Sequence, residues 1–329
     1  MTESQPIELS ICIPTYNRAR FLSEALNSIA ANIDPSINIE IVISDNASTD
    51  DTTAVVKSFR DQLLPIRYHR NNQNIGPVAN IVNVIQIAKG DFIWIFGDDD
   101  IMMPDAVSYL LAFLKRNKTV QYVYYSRELK TVDLSSVPDG IQPKGLTEDI
   151  TFKNGNDLLC ACDGQIPYII GFLSSTIIRR SIWAENVHEV QKIASNNAWA
   201  HLMIILRAIK NCNCAILAKV GVQARMNYQA FKPNSSIGFD DGIICFIDAM
   251  KLGYSKNQCT TTIKEIVRLE SKAFLADQAR GNRTDSILDF LSKNGLSRMV
   301  FAAFPWFLVS MLPVFILKRL WSLFNLIRH

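Results

Sequence analysis

The chain has 329 residues, 48% of them hydrophobic and 20% charged, which supplies one large core or two small ones and excludes a disordered polyelectrolyte. Its net charge of +3 is too small to argue for nucleic acid, and with no basic, aromatic-interleaved patch in the N-terminal half no nucleic-acid partner is expected. Seven cysteines include Cys160-Ala-Cys162 and Cys212-Asn-Cys214, gaps too short for the usual zinc spacing, so reduced thiols in a cytoplasmic compartment are expected. Met1 to Ser10 carries Glu3 and Glu8 and no basic start leading into an apolar core, so no secretory signal is expected.

In chain order, Leu9 to Ile13 is an apolar run ended by Pro14, after which Phe21, Leu22, Ala25, Leu26 and Ile29 recur at helical spacing. Ile39 to Ile43 predicts a second strand. The polar loop from Ser44 to Asp51 follows it, with Ser48 and Asp51 resembling a capping box for a second helix. Ile66 to His69 predicts a short strand, Asn71 to Pro77 a turn-rich loop, and Val78 to Ala88 a helix closed by Gly90. Phe92-Ile93-Trp94-Ile95-Phe96 reads as a buried strand. After Gly97 come three acids, Asp98-Asp99-Asp100, and then a helix from Pro104 to Asn117. Strands alternating with helices predict an α/β fold with a mostly parallel central sheet and a site at the carboxyl ends of its strands.

Beyond residue 117 the pattern loosens. Gln121 to Tyr125 and Ser174 to Arg179 predict strands, Glu128 to Leu158 is loop-rich, and Trp199 to Lys210, Gly242 to Lys251 and Thr262 to Arg280 predict helices. Val300 to Leu317 carries no formal charge, and no acid occurs from Lys293 to His329, whereas Lys293, Arg298, Lys318, Arg319 and Arg328 are cationic. Pro305 and Pro313 would interrupt a clean crossing, so a kinked or re-entrant membrane-associating tail is expected, on the anionic cytoplasmic leaflet. A hydrophobic helix pair packed on the domain or on a dimer partner is the alternative. The expected divisions are 1–117 and 118–225 as two halves of one domain, a helical extension over 226–297, and the tail over 298–329.

Three adjacent carboxylates repel one another. A strand end that gathers them recovers the cost by binding a hard divalent cation, Mg²⁺ or Mn²⁺, that carries a diphosphate. The competing reading is that acids before a helix favour its dipole.

Four ordered segments carry a resemblance: Ile13-Pro14-Thr15-Tyr16-Asn17-Arg18, Ser44-Asp45-Asn46-Ala47-Ser48-Thr49-Asp50, Asn74-Ile75-Gly76 with Asn80, and Gly97-Asp98-Asp99-Asp100 leading to Pro104-Asp105. They resemble the family 2 glycosyltransferases of the GT-A nucleotide-sugar-binding fold, well over about residues 8–116 and weakly over 165–212. Within that family the chain is similar to enzymes that add 3,6-dideoxyhexoses to O-antigen units, such as abequosyltransferases. The resemblance implies metal-dependent transfer of a sugar from a UDP, CDP or dTDP donor to a lipid-linked saccharide, at the cytoplasmic side of a bacterial inner membrane.

Residue by residue, Pro14 turns the backbone so that Thr15 and Tyr16 face the nucleotide, and Asp45 accepts a hydrogen bond from a pyrimidine. Gly76 permits a tight backbone path. Asn74 and Asn80 touch the nucleotide or fasten the loop to the helix. Asp99 and Asp100 are the expected metal ligands, with Asp98 facing ribose or sugar. Arg18 and Arg70 either meet phosphate or are solvated loop charges. The chain departs from the family where relatives carry an acidic pair before a Leu-Arg helix, because Trp199 to Arg207 holds no carboxylate. His201 is then the candidate base, against a structural role on an apolar helix, with Asp163, Glu185 and Glu189 behind it. A sugar nucleotidyltransferase should show a Gly-rich loop where Ile13 to Arg20 has no glycine, and a non-catalytic scaffold is the reading that the missing acid leaves open.

Overall fold

A computed structural model describes residues 7–34, 37–62, 64–161, 170–193, 197–225 and 239–266. The chain divides into two compact units, Met1–Asn227 and Tyr228–His329. The first unit is a ten-stranded sheet flanked by helices.

Its first half follows the expected strand and helix alternation. β1 (Leu9–Thr15), β2 (Ile39–Asp45), β3 (Ile66–Arg70) and β4 (Phe92–Ile95) pair in the order β3-β2-β1-β4, all parallel. The residues of β2 and β4 are buried throughout, Glu40, Ser44 and Asp45 of β2 included, as strands covered on both faces must be. The intervening helices are α1 (Ala19–Ala30), α2 (Thr52–Asp61) and α3 (Pro77–Gln86). α1 buries Leu22, Ala25, Leu26 and Ile29, the positions its periodicity marked. α3 starts on Pro77, behind Gly76 at φ +85°, a conformation that glycine adopts without strain. The capping box at α2 does not form. The Ser48 hydroxyl accepts from the Asn17 amide, and Asp50 rather than Ser48 accepts from Thr52 N–H.

The sheet as a whole is mixed, which corrects the expectation of a mostly parallel one. β9 (Thr176–Arg179) lies between β4 and β6 (Val120–Lys130) and runs antiparallel to both. β10 (Asn213–Arg225) returns parallel to β6, and β5 (Ile101–Met102) closes the order antiparallel to β10. The stretch read as loop holds β7 (Ser136–Gln142), β8 (Ile150–Phe152) and α5 (Gly155–Ala161), while α4 (Ala106–Arg116) precedes it as expected. α6 (Arg180–Ile193) and β10 were not foreseen; α7 (Ala200–Ile209) was.

The core under the site is aromatic. Trp94 stacks on Tyr125 at 5.5 Å, meets Phe96 edge-on at 5.9 Å, and donates its indole N–H to Ser174 O at 2.8 Å. β10 breaks register between Leu217 and Val222, where Gly221 sits against the Tyr125 ring so closely that a Cβ would lie 2.6 Å from it.

In the second unit, α8 (Phe239–Lys251) covers the helix expected from Gly242, and 256–266 is helical. Among the described residues no helix is long and apolar enough to cross a membrane. The tail over 298–329 lies outside the described residues.

Candidate active site

Parallel pairing brings the carboxyl ends of three strands to one rim. Pro14 is level with Ser44 and Thr15 with Asp45, while Phe96 N–H donates to Cys12 O and so places Gly97 and the acids beside the end of β1. The acids diverge from there. One nitrogen of Arg18, Nη1, donates to Asp98 Oδ1 at 3.0 Å and to Asp99 Oδ2 at 2.7 Å. Arg18 caps α1 and stays 30% exposed, whereas the side chains of Asp98 and Asp99 are 8% and 17% exposed. Burial pushes the Asp98 carboxyl up to about 6 against the pull of Arg18, with the Asp99 charge adding to the rise. Thr15 Oγ1 is buried beside Asp98, close enough to favour its ionised form, yet makes no hydrogen bond of normal geometry.

Asp100 points the other way. Its Oδ2 accepts from the Ser174 hydroxyl and its Oδ1 from Arg225 N–H at 2.9 Å. Ser174 Oγ in turn accepts from Gly97 N–H at 2.7 Å. Arg225 donates through Nη1 to Asp99 O at 3.1 Å and through Nη2 to Glu24, with its guanidinium 5.2 Å from the Phe21 ring centre. Burial, with the neighbouring Asp99 next, pushes Asp100 up to about 7. The roles of Arg225, Ser174 and Glu24 were invisible to sequence reasoning.

At the end of β2, Asp45 is fully buried and occupied on both oxygens. Ser48 N–H donates to Oδ1 at 2.8 Å and the Tyr68 hydroxyl to Oδ2 at 2.6 Å. Arg70 approaches Oδ2 at 3.6 Å while donating to Ser48 O. Burial and Asp45 push the Tyr68 phenol up to about 12.

A web of asparagines pins the next loop to β2. Asn80 accepts from Ser44 Oγ and Asn71 Nδ2 and donates to Ser44 O. Asn46 accepts from Asn71 Nδ2 and Ile75 N–H, and Asn74 accepts from Asn46 Nδ2 and Gly76 N–H. Asn74 and Asn80 thus fasten this loop. A cavity of about 440 Å³ opens beside it, lined by His69, Arg70, Asn71, Asn72, Gln73 and Ile75. Tyr16 and Ile75 stand exposed, at 43% and 41%.

His201 lies apart from the carboxylates. It is buried on α7, its ring stacked on Trp199 at 6.2 Å, with Nε2 3.1 Å from Gly171 O. A carbonyl only accepts, so Nε2 carries the hydrogen; burial lowers the pKa and keeps the ring neutral. Nδ1 has no hydrogen-bond partner among the described residues. Gly171 leads into the 3₁₀ turn Leu173–Ser175, whose Ser174 holds the acidic loop. Of the weaker candidates, Glu185 is exposed, Glu189 pairs with Arg207 at 3.0 Å, and Asp163 lies outside the described residues. Among the described residues no three His, Cys, Asp or Glu side chains converge to form a metal cage by themselves.

Comparison with known proteins places this geometry. The sequence profile of Glycosyl transferase family 2 matches residues 10–174. The abequosyltransferase RfbV of Salmonella typhimurium is 30% identical over 278 residues, 81% of either chain. A GalNAc(5)-diNAcBac-PP-undecaprenol beta-1,3-glucosyltransferase of Campylobacter jejuni is 32% identical over 160 residues, 48% of this chain and 50% of that one. Residues 1–349 of TarS from S. aureus, in complex with UDP, superpose with a TM-score of 0.63 at 18% identity, over 90% of this chain and 81% of that one. A mannosyltransferase of Pyrobaculum calidifontis in complex with GDP-Man and Mn²⁺ gives 0.53 at 14% identity, over 93% and 90%. The mixed sheet with its helices is therefore a GT-A fold. The chain belongs to glycosyl transferase family 2 and is a glycosyltransferase of class EC 2.4.

Proposed function

We propose that the chain moves a sugar from a pyrimidine nucleoside diphosphate, UDP, CDP or dTDP, to a lipid-linked saccharide of an O-antigen or another surface polysaccharide, with Mg²⁺ or Mn²⁺ at the acidic loop. The carrying observation is the meeting of Asp98 and Asp99 at a single cationic nitrogen beside Thr15, on the rim that also holds Asp45. Two carboxylates of hard oxygen donors, with the remaining positions left to phosphate and water, suit a divalent ion bound together with its diphosphate. Asp100 was expected beside Asp99 as a ligand. Its oxygens already serve Ser174 and Arg225, so the proposed ligand set becomes Asp99 with Asp98, and Asp100 keeps the loop in place. A bound cation would offset charge growing on the departing nucleoside diphosphate.

The chain's own residues do the rest. Arg70, which lines the 440 Å³ cavity, and Asp45 behind it at 3.6 Å form the base end of the donor site, with Tyr16 and Ile75 as exposed flanks and Pro14, Thr15, Asn74 and Gly76 shaping the path between. His201, neutral and with its lone pair on Nδ1, is the proposed acceptor of the nucleophile's proton. The similarity to the Salmonella abequosyltransferase supports a surface-polysaccharide unit as acceptor, and the tail over 298–329, in which the uncharged stretch Val300 to Leu317 is flanked by cations, supports peripheral attachment to the cytoplasmic side of the inner membrane. The test is transfer from a panel of nucleotide sugars to a membrane extract, with and without chelator. Asp99→Asn should keep the fold and lose transfer; undiminished turnover in that variant defeats the proposal.

A further inference from the structure

Arg18 is held by only part of its guanidinium. Nη1 bridges Asp98 and Asp99, and the remaining N–H groups have no acceptor among the described residues. The backbone that carries it is fixed: Asn17 sits at φ +52°, donates its N–H to Ser48 Oγ and accepts from Thr49 N–H at 2.7 Å. Only the side chain is free to turn. Nη1 lies where a cation shared by the two acids would sit, and the buried Thr15 Oγ1 lies against Asp98, favouring its ionised form without a hydrogen bond of normal geometry.

We propose that Arg18 is a built-in counter-ion, which occupies the cation position between Asp98 and Asp99 in the donor-free chain and exchanges it for a divalent ion when a nucleoside diphosphate arrives. The inference rests on the metal reading above. One positive charge leaves the acid pair one short of neutrality, whereas a divalent ion completes it. That ion must first expel the guanidinium. Without a diphosphate the expelled group goes to water and the exchange gains little. With one, the fork of N–H donors finds a bidentate phosphate partner. Ion and nucleotide therefore bind with positive coupling, and Arg18 is the element that couples them.

The experiment is Mn²⁺ binding followed by electron paramagnetic resonance, without nucleotide and with UDP or CDP, on wild type, Arg18→Met, Arg18→Lys and Asp99→Asn. Without nucleotide, Arg18→Met should bind Mn²⁺ about tenfold or more tightly than wild type, the size of a typical coupling energy. Nucleotide should tighten Mn²⁺ strongly in wild type and little in Arg18→Met, while Arg18→Lys should match wild type without nucleotide and be tightened less by it, because a lysine keeps the charge and lacks the fork. Arg18→Gln serves equally as the neutral variant if the Met form does not fold. Equal or weaker Mn²⁺ binding by the neutral variant overturns the role of Arg18. A different result, in which wild type binds no Mn²⁺ with either nucleotide or Asp99→Asn binds it as well as wild type, removes the metal reading and the inference with it.

Discussion

Asn80→Ala is the sharpest test of how the rim is held. Asn80 is 3% exposed and its carboxamide makes three hydrogen bonds, at 2.7 Å from Ser44 Oγ, 3.0 Å from Asn71 Nδ2 and 2.9 Å to Ser44 O. Alanine strands two donors and one acceptor. At about 1 kcal/mol each, the lower end of the range for a buried group deprived of its partner because the vacated space admits water, the loss comes to about 3 kcal/mol. With a urea slope of about 3 kcal/mol/M, that moves the unfolding midpoint down by about 1 M. Asn74→Ala is the control. Asn74 is exposed and, among the described residues, accepts from Asn46 and Gly76 alone, so its loss should stay below about 1 kcal/mol. Circular dichroism in urea reads both variants, and steady-state transfer reads the consequence: a loosened Asn71 to Ile75 wall raises the donor KM and leaves kcat nearly alone. Equal midpoints for the two variants, or a loss under about 1 kcal/mol for Asn80→Ala, would refute the claim that the web fixes the loop.

Three further outcomes follow from the same geometry. Asp98 and Asp100 are pushed up to about 6 and about 7, chiefly by burial, so the fold favours their neutral forms. Their contribution to stability is complete below the ordinary carboxyl range and is lost as pH rises from about 4 through 6 to 7. Melting temperatures in chelator should accordingly diverge with pH, Asp100→Asn gaining on wild type towards pH 8; a pH-independent difference would contradict this. His201→Gln should lower kcat and abolish the acidic limb of the pH-rate profile, and an active variant with that limb unshifted would assign the base elsewhere. Gly221→Ala drives a methyl into the Tyr125 ring and should cost about 1–3 kcal/mol of stability; an unaltered melting temperature would show that the bulge of β10 yields freely.

What the sequence disclosed and what it hid divide along physical lines. β4 was legible because a strand buried on both faces is written as an unbroken apolar run, β1 and β2 because only a single polar residue, Ser10 or Glu40, interrupts theirs, and α1 because one buried stripe imposes its spacing. β9 is four residues long and carries no mark of direction, so its antiparallel course could not be read. β10 changes face across its bulge, which destroys the alternation that identifies a strand. α6 mixes polar and apolar residues too evenly to stand out. At the site, residue types were visible and partners were not. The acids and asparagines could be picked out, but Asp100 finds its amide donor 125 residues away and its hydroxyl donor 74 away. Those separations decide which acid faces inward, and local pattern carries no trace of them.

The insertion of β9 between β4 and β6 also governs how the chain can be made. Until residues 176–179 emerge, β4 presents Phe-Ile-Trp-Ile as an unpaired rim of apolar strand, the kind of surface that recruits other chains. A nascent polypeptide halted after α4 should therefore clump or engage chaperones rather than rest as an autonomous nucleotide-binding module. Closure of this sheet is a late event in synthesis, and the acidic loop gains its Ser174 anchor in the same step.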